Sequence, residues 1–340
     1  MKAPGFSHRD WLPDQLKGWA VVWMIGVHSV ELFLQPALLT QPIPQLLMFM
    51  GGVPAAPLFM VMMGYYAGRR YAAPGKLIMR GLKLLVWGLL LNIGLNASLL
   101  LKWILHQTTV NPLHYVFGVD ILFLAGLSLI ITGILKLTKP AWFVWIFLAF
   151  FTSLFAHQIT ITTESHKWTD YFLAFFTGNV SWSYFPLLPW LAYPLLGVGI
   201  KKLVDQYPFV LNQSRYRFYT AVPAVLIFLA GLLRGWRIST NLDLYYHHGL
   251  LFFIWAVSFI FLIALLLQAF QKSLSCFIGS WIRFLGVRVT WVYVIQWLII
   301  GNTGTWFYQQ FSTGAVLLIF IGVLTVSTFL TYVYHQLKIK

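Results

Sequence analysis

The run GWAVVWMIGVHSVELFLQP, residues 18–36, decides the fold. It is nineteen residues of mostly apolar side chains interrupted by one imidazole and one carboxylate. About 20 such residues make a helix long enough to cross the hydrocarbon core of a bilayer. The run is too long for the core of a cleavable signal, and such a core would not carry His28 or Glu31, so no cleavable signal is expected. Similar apolar runs recur to the end of the chain, at roughly 44–66, 84–105, 116–135, 140–156, 183–200, 217–235, 249–270, 289–304 and 314–334. The expected fold is therefore all-α: a polytopic integral membrane protein of about ten transmembrane helices, forming one domain over residues 1–340.

Composition agrees. Of the 340 residues, 59% are hydrophobic and only 9% charged, where a globular domain carries about 25% charged residues. That excludes a soluble enzyme and a disordered chain. The net charge of +15 invites a nucleic-acid partner, but basic loops orient membrane proteins, and no nucleic acid is expected. With the N-terminus inside, nineteen of the twenty-three Lys and Arg residues fall on one side. Only Lys102, Lys167, Arg234 and Arg237 lie toward the other. Both termini are thus placed in the cytoplasm. An eleventh span at 168–182 would reverse the last nine inner charges, so that short apolar segment reads as re-entrant or interfacial. The single Cys276 excludes a disulfide framework. No P-loop, GxSxG or HExxH motif occurs, and no metal is expected.

Ionisable groups inside a bilayer are costly and mark function by default. Three qualify: His28 and Glu31 in the first span, and Asp120 in the fourth. Lys17 precedes His28 by eleven residues. Eleven helical steps return to the same face about 16 Å farther on. One stripe then carries a cation at the cytosolic surface and an imidazole deep in the membrane, which suits an elongated ligand with an anionic head. Glu31, three residues after His28, can reach it on a helix, where a carboxylate fixes a tautomer and stabilises the imidazolium. The alternative is that both residues only bond neighbouring helices. Asp120 is placed at a similar depth, to bind an acceptor, pair with a cation, or serve as a solvated helix-end carboxylate. Arg69, Arg70, Lys76, Arg80 and Lys83 form the densest basic cluster. Opposite Lys17 they suggest a nucleotide-bearing ligand, although inner loops are basic in any case. Asn92 and Asn96 are the notable buried-type amides, and His247-His248 reads as an interfacial pair.

Four segments, taken in order, resemble the transmembrane acyltransferase superfamily, which includes acyltransferase-three and heparan-α-glucosaminide N-acetyltransferase-like proteins. The first is Asp14 to His28, with an acid, then Lys17-Gly18, then His28. The second is Pro54-Ala-Ala-Pro57-Leu58-Phe59 to Gly64. The third, Tyr184-Phe185-Pro186-Leu187-Leu188-Pro189-Trp190 with Gly197, is nearest the glucosaminide branch. The fourth is Phe284-Leu285-Gly286 followed by Tyr293 to Gln296, where the family commonly has a late His in place of Gln296.

The resemblance implies transfer of an acetyl or other short acyl group from cytosolic acyl-CoA, acetyl-CoA above all, to an extracytoplasmic glycan or amino sugar. It places Lys17, Arg69, Arg70, Arg80 and Lys83 against the nucleotide phosphates and His28, oriented by Glu31, as general base. A covalent acetyl-histidine route stays open. Asn92, Asn96 and Gln296 are amides of a type suited to an oxyanion. The expected location is the bacterial cytoplasmic (inner) membrane, as a multi-pass protein in which a homodimer is also compatible. The reading from another class is a proton-coupled secondary transporter or flippase using His28 and Glu31.

Overall fold

The computed structural model describes residues 10–156, 168–177, 180–208 and 214–339. Among these the chain is helical, with two isolated backbone bridges and no strand. α1 (Trp11–Phe33) is one unbroken helix of 23 residues. α2 (Pro42–Gly52) and α3 (Ala56–Ala67) follow, separated by a break at Pro54 and restarted with Pro57 in the first turn of α3, where a missing N–H costs nothing. α4 (Pro74–Leu95) and α5 (Ala97–Ile104) lead through the short α6 (Leu113–Val116) to α7 (Ile121–Leu137) and α8 (Trp142–Phe155).

Next come α9 (Trp168–Leu173), α10 (Leu187–Trp190), α11 (Ala192–Gln206), α12 (Ser214–Ala230), α13 (Leu232–Ser239) and α14 (Leu242–Tyr246). The chain ends with α15 (Leu250–Ala269), α16 (Phe277–Val287), α17 (Val289–Phe307) and α18 (Thr313–Ile339).

Five stretches are helical, long and apolar enough to cross a membrane: Pro42–Ala67, α4, Leu187–Gln206, α15 and Thr313–Lys338. The number rises to seven if α12 with α13, bent by 65°, and α16 with α17, bent by 83°, each count as one span. The protein is therefore an all-α membrane protein, with five to seven such spans by length and composition among the described residues, where the sequence suggests about ten. The difference has physical causes. α7 and α8 are 17 and 14 residues long. At 1.5 Å per residue α8 reaches only about 21 Å, against a core of about 30 Å. α1 is long enough, but Asp14, Lys17, His28 and Glu31 dilute its apolar character. Of the 168–182 segment, expected to be re-entrant or interfacial, α9 is the helical part among the described residues; residues 178 and 179 of it lie outside them.

Helices in lipid gain little from hydrophobic association and rely on close backbone approach at small residues. A Cβ on Gly18 would stand 2.0 Å from the carbonyl oxygen of Ile282, and one on Gly286 would stand 1.8 Å from that of Asp14. α1 and α16 thus touch backbone to backbone. The same holds for α3 and α11, where a Cβ on Gly64 would meet the oxygen of Pro194 at 1.9 Å and one on Gly197 that of Val61 at 2.1 Å. These contacts seed two cores. One gathers around Trp145, Trp190, Tyr193 and Phe253, the other around Val21, Ile25, Ile282 and Ile300. A small third cluster of Met24, Ala55, Leu91 and Tyr293 joins α1, the start of α3, α4 and α17.

Candidate active site

The continuity of α1 fixes the central spacing. Lys17 and His28 lie on one helix without a kink, so the expected separation of about 16 Å along the axis follows from the helical rise.

At the Lys17 end, the ammonium is 3.0 Å from the buried carboxylate of Asp14, and the Arg283 Nε is 3.9 Å from the other carboxylate oxygen. Lys17 also sits 5.1 Å above the ring of Tyr66, and the Arg69 guanidinium lies 4.4 Å from the same ring. Arg69 donates in addition to Asp10 at 2.9 Å and to the Tyr71 hydroxyl. The loop that carries Arg69 is clamped from below. Lys136 donates to the carbonyls of Ala67, Arg69 and Ala72 at 2.8, 3.0 and 2.7 Å, a favourable place for a cation because helix carbonyls end there. Two of the five predicted phosphate-binding cations, Lys17 and Arg69, therefore converge on one aromatic ring. Arg70 is exposed. Arg80 and Lys83 are exposed on α4, off the face where Gly81 meets Gly126 of α7, and neither makes an ion pair among the described residues.

At the other end, the His28 Nδ1 lies 3.5 Å from both Oε1 and Nε2 of Gln296 on α17. Gln296 is wholly buried. The His28 ring packs on the indole of Trp297, centroid to centroid 4.2 Å. Tyr293, one turn earlier on α17, directs its hydroxyl to Asp120 Oδ2 at 3.5 Å. One face of α17 thus touches both His28 and Asp120.

Glu31 is half-buried but does not hydrogen-bond His28. Its backbone carbonyl accepts from the Gln309 side-chain amide at 3.4 Å. Burial, and after it the charge of Glu31, holds the Tyr308 phenol above its ordinary pKa. Asp120 is the N-cap of α7: its Oδ1 accepts from the N–H groups of Leu122 and Phe123 at 3.0 and 3.1 Å, which satisfies orphan donors of the first turn. The amides of Asn92 and Asn96 are engaged in structure. Asn92 Nδ2 donates to the carbonyls of Val116 and Gly118 at 3.2 and 2.9 Å, and Asn96 Nδ2 to that of Asn92 at 2.9 Å. Of the three amides singled out by sequence, Gln296 is the one that meets His28.

Of the His247-His248 pair, His248 is turned into the protein. It is 2% exposed, receives or gives a hydrogen bond with the Tyr193 hydroxyl at 2.9 Å, and reaches the Tyr245 carbonyl at 2.7 Å. Trp190 of the Pro-Leu-Leu-Pro-Trp run lies edge-on to it, centroids 4.9 Å apart. A buried imidazole with both nitrogens engaged is a packing element. Sequence reasoning also passed over Trp297, Tyr66 and the partnership of Asp14 with Lys17. Only the spacing of Tyr293, Gln296 and Trp297 at three and four residues hinted that they share a face. No group of three His, Cys, Asp or Glu among the described residues could hold a metal ion.

Residues 9–231 match the family of the heparan-alpha-glucosaminide N-acetyltransferase catalytic domain. The chain belongs to that family. No curated protein and no solved structure matches it. Membership in the glucosaminide N-acetyltransferase family makes this an acetyltransferase-type membrane chain. The matched region holds α1 to α12, and with them Lys17, His28, Arg69 and Asp120. Tyr293, Gln296 and Trp297 lie beyond it, on the helix that braces His28.

Proposed function

We propose that this family member moves an acetyl or other short acyl group from cytosolic acyl-CoA to an extracytoplasmic saccharide hydroxyl or amine, with His28 as general base. The observation that carries the reading is α1 itself, with Lys17 and Arg69 gathered over Tyr66 at one end and His28 held by Gln296 and Trp297 at the other. In this account α1, α7 and α8 also cross the membrane, both termini are cytoplasmic, and the Lys17 end faces the cytosol, as the excess of cations on that side favours. The anionic head of CoA rests against Lys17 and Arg69, with Arg80 and Lys83 available from α4. Its extended arm follows α1 inward, so the nucleotide need not cross the membrane.

The chemistry is an acyl exchange. With Nδ1–H donated to Gln296 Oε1, the free Nε2 lone pair accepts the acceptor's proton. The acceptor oxygen or nitrogen then forms a bond to the thioester carbonyl carbon as the carbon–sulfur bond breaks. The proton ends on the CoA thiol. Gln296 does not titrate in this scheme; it fixes the tautomer, the role first given to Glu31.

The second reading, a proton-coupled secondary transporter or flippase using the His28/Glu31 pair, would move an intact solute without consuming thioester. The test is release of CoA by purified protein supplied with acetyl-CoA and an amino sugar, compared with His28→Ala. Loss of turnover in a folded His28→Ala protein supports the assignment, and full turnover refutes it.

A further inference from the structure

Away from α1, a cavity of about 330 Å³ opens where the start of α17 meets the end of α18. Arg288, Thr290, Trp291, Tyr334, His335 and Lys338 line it, and none of its described lining residues is acidic. Arg288 and Lys338 both lie within electrostatic reach of the His335 ring. The rings of Trp291 and Tyr334 pack 4.2 Å apart between centroids, and Arg288 is steadied over the Phe284 ring at 4.5 Å. The volume lies at the small end of ligand sites and its polar groups suit one phosphate.

We infer that this cavity binds the phosphate of an anionic phospholipid headgroup. Three observations favour a lipid over a free phosphate. The cavity sits at helix ends, and its Trp and Tyr are the residue types that settle at the membrane–water boundary. Basic pockets between transmembrane helices are suited to such headgroups. Finally, α18 leads straight into it with an apolar flank open to lipid. Only 22% of that helix's apolar window is buried, and Val326, Leu330 and Leu337, exposed by 45%, 42% and 69%, share one face that ends beside Tyr334. Acyl chains would lie along that flank while the phosphate meets Arg288 and Lys338. Trp291 of the cavity is on the same helix as Gln296, so an occupied site holds down the end of α17. The inference does not depend on the acyl-transfer reading.

The test is thermal unfolding of the purified full chain in detergent, titrated with dioleoylphosphatidylglycerol, dioleoylphosphatidylcholine, sodium phosphate or CoA. Phosphatidylglycerol raises the melting temperature at lower concentration than phosphatidylcholine. Arg288→Gln and Lys338→Gln each raise the phosphatidylglycerol concentration needed by about fivefold, the worth of one cation near an anionic surface. Lys338 is exposed in the last turn of α18, so Lys338→Gln keeps the test informative if Arg288→Gln folds poorly. Lys139→Gln and Lys272→Gln, exposed cations elsewhere, leave the titration unchanged. Equal response of the Arg288 and Lys338 variants and wild type to phosphatidylglycerol, or equal effects of the two lipids, overturns the site. Matching stabilisation by sodium phosphate or CoA without lipid overturns the lipid assignment.

Discussion

The Nδ1 atom of His28 faces the side-chain amide of Gln296 at 3.5 Å, across α1 and α17. The resemblance leads one to expect a second histidine at position 296; the structure shows an amide that can orient an imidazole but cannot exchange a proton with it. His28→Ala should therefore remove turnover by roughly 10²–10⁴-fold, the usual worth of a general base, with acyl-CoA binding retained. Gln296→Leu should cost less, roughly 10-fold to 100-fold as for other groups that orient a functional imidazole, and should act on kcat more than KM. Steady-state kinetics on both variants would show whether the order holds.

The convergence of Lys17 and Arg69 over Tyr66 predicts a donor-specific defect. Lys17→Gln and Arg69→Gln should each weaken acyl-CoA binding by about tenfold, as expected for losing one charge-assisted hydrogen bond. An acyl-pantetheine without the nucleotide should be little affected. Arg80→Ala and Lys83→Ala are expected to follow the same pattern. Equal losses for the two donors would assign these cations to orientation or packing.

Asp120 serves both α7 and Tyr293. Asn caps helices about as well as Asp, whereas Ala costs about 1 kcal/mol. Asp120→Asn should keep the melting temperature close to wild type while turnover falls, and Asp120→Ala should lower both. Unchanged turnover in Asp120→Asn would leave the carboxylate with the cap alone.

Gly18 and Gly286 make α1 and α16 meet backbone to backbone. Gly18→Leu or Gly286→Leu should destabilise the protein by about 1–3 kcal/mol or more, the typical cost of overpacking. The check is thermal unfolding in detergent, where a melting temperature equal to wild type would contradict the packing.

Much of this was legible because it is local. The apolar runs, the shared face of Lys17 and His28, and the order of the four family-like segments depend only on spacing along the chain. The glycines within those segments, Gly18, Gly64, Gly197 and Gly286, turn out to be places where helices touch, so part of the resemblance records packing. Contacts that depend on distant elements were hidden. An i, i+3 spacing puts Glu31 within reach of His28 but does not set its rotamer, and the hydrogen-bond partner of His28 comes instead from Gln296, 268 positions away. The donors of Asn92 are consumed by carbonyls of residues 116 and 118, a loop whose path no periodicity reveals. The burial of His248 rests on Trp190 and Tyr193, more than fifty positions away. The number of spans was less legible for another reason: apolar runs mark where helices form, while a count by helix length and apolar character leaves out the short α7 and α8 and the charge-bearing α1.

The central claim is that one protein joins a cytosolic thioester to an acceptor on the opposite side of the membrane. Sealed proteoliposomes with uniformly oriented protein test it most directly. Acetyl-CoA should be consumed only from the face bearing Lys17 and Arg69, with free CoA released on that face and acetylated acceptor recovered on the other. Full turnover with acetyl-CoA and acceptor both confined to one face, or movement of an intact solute without thioester consumption, would contradict the account even if His28 proved essential.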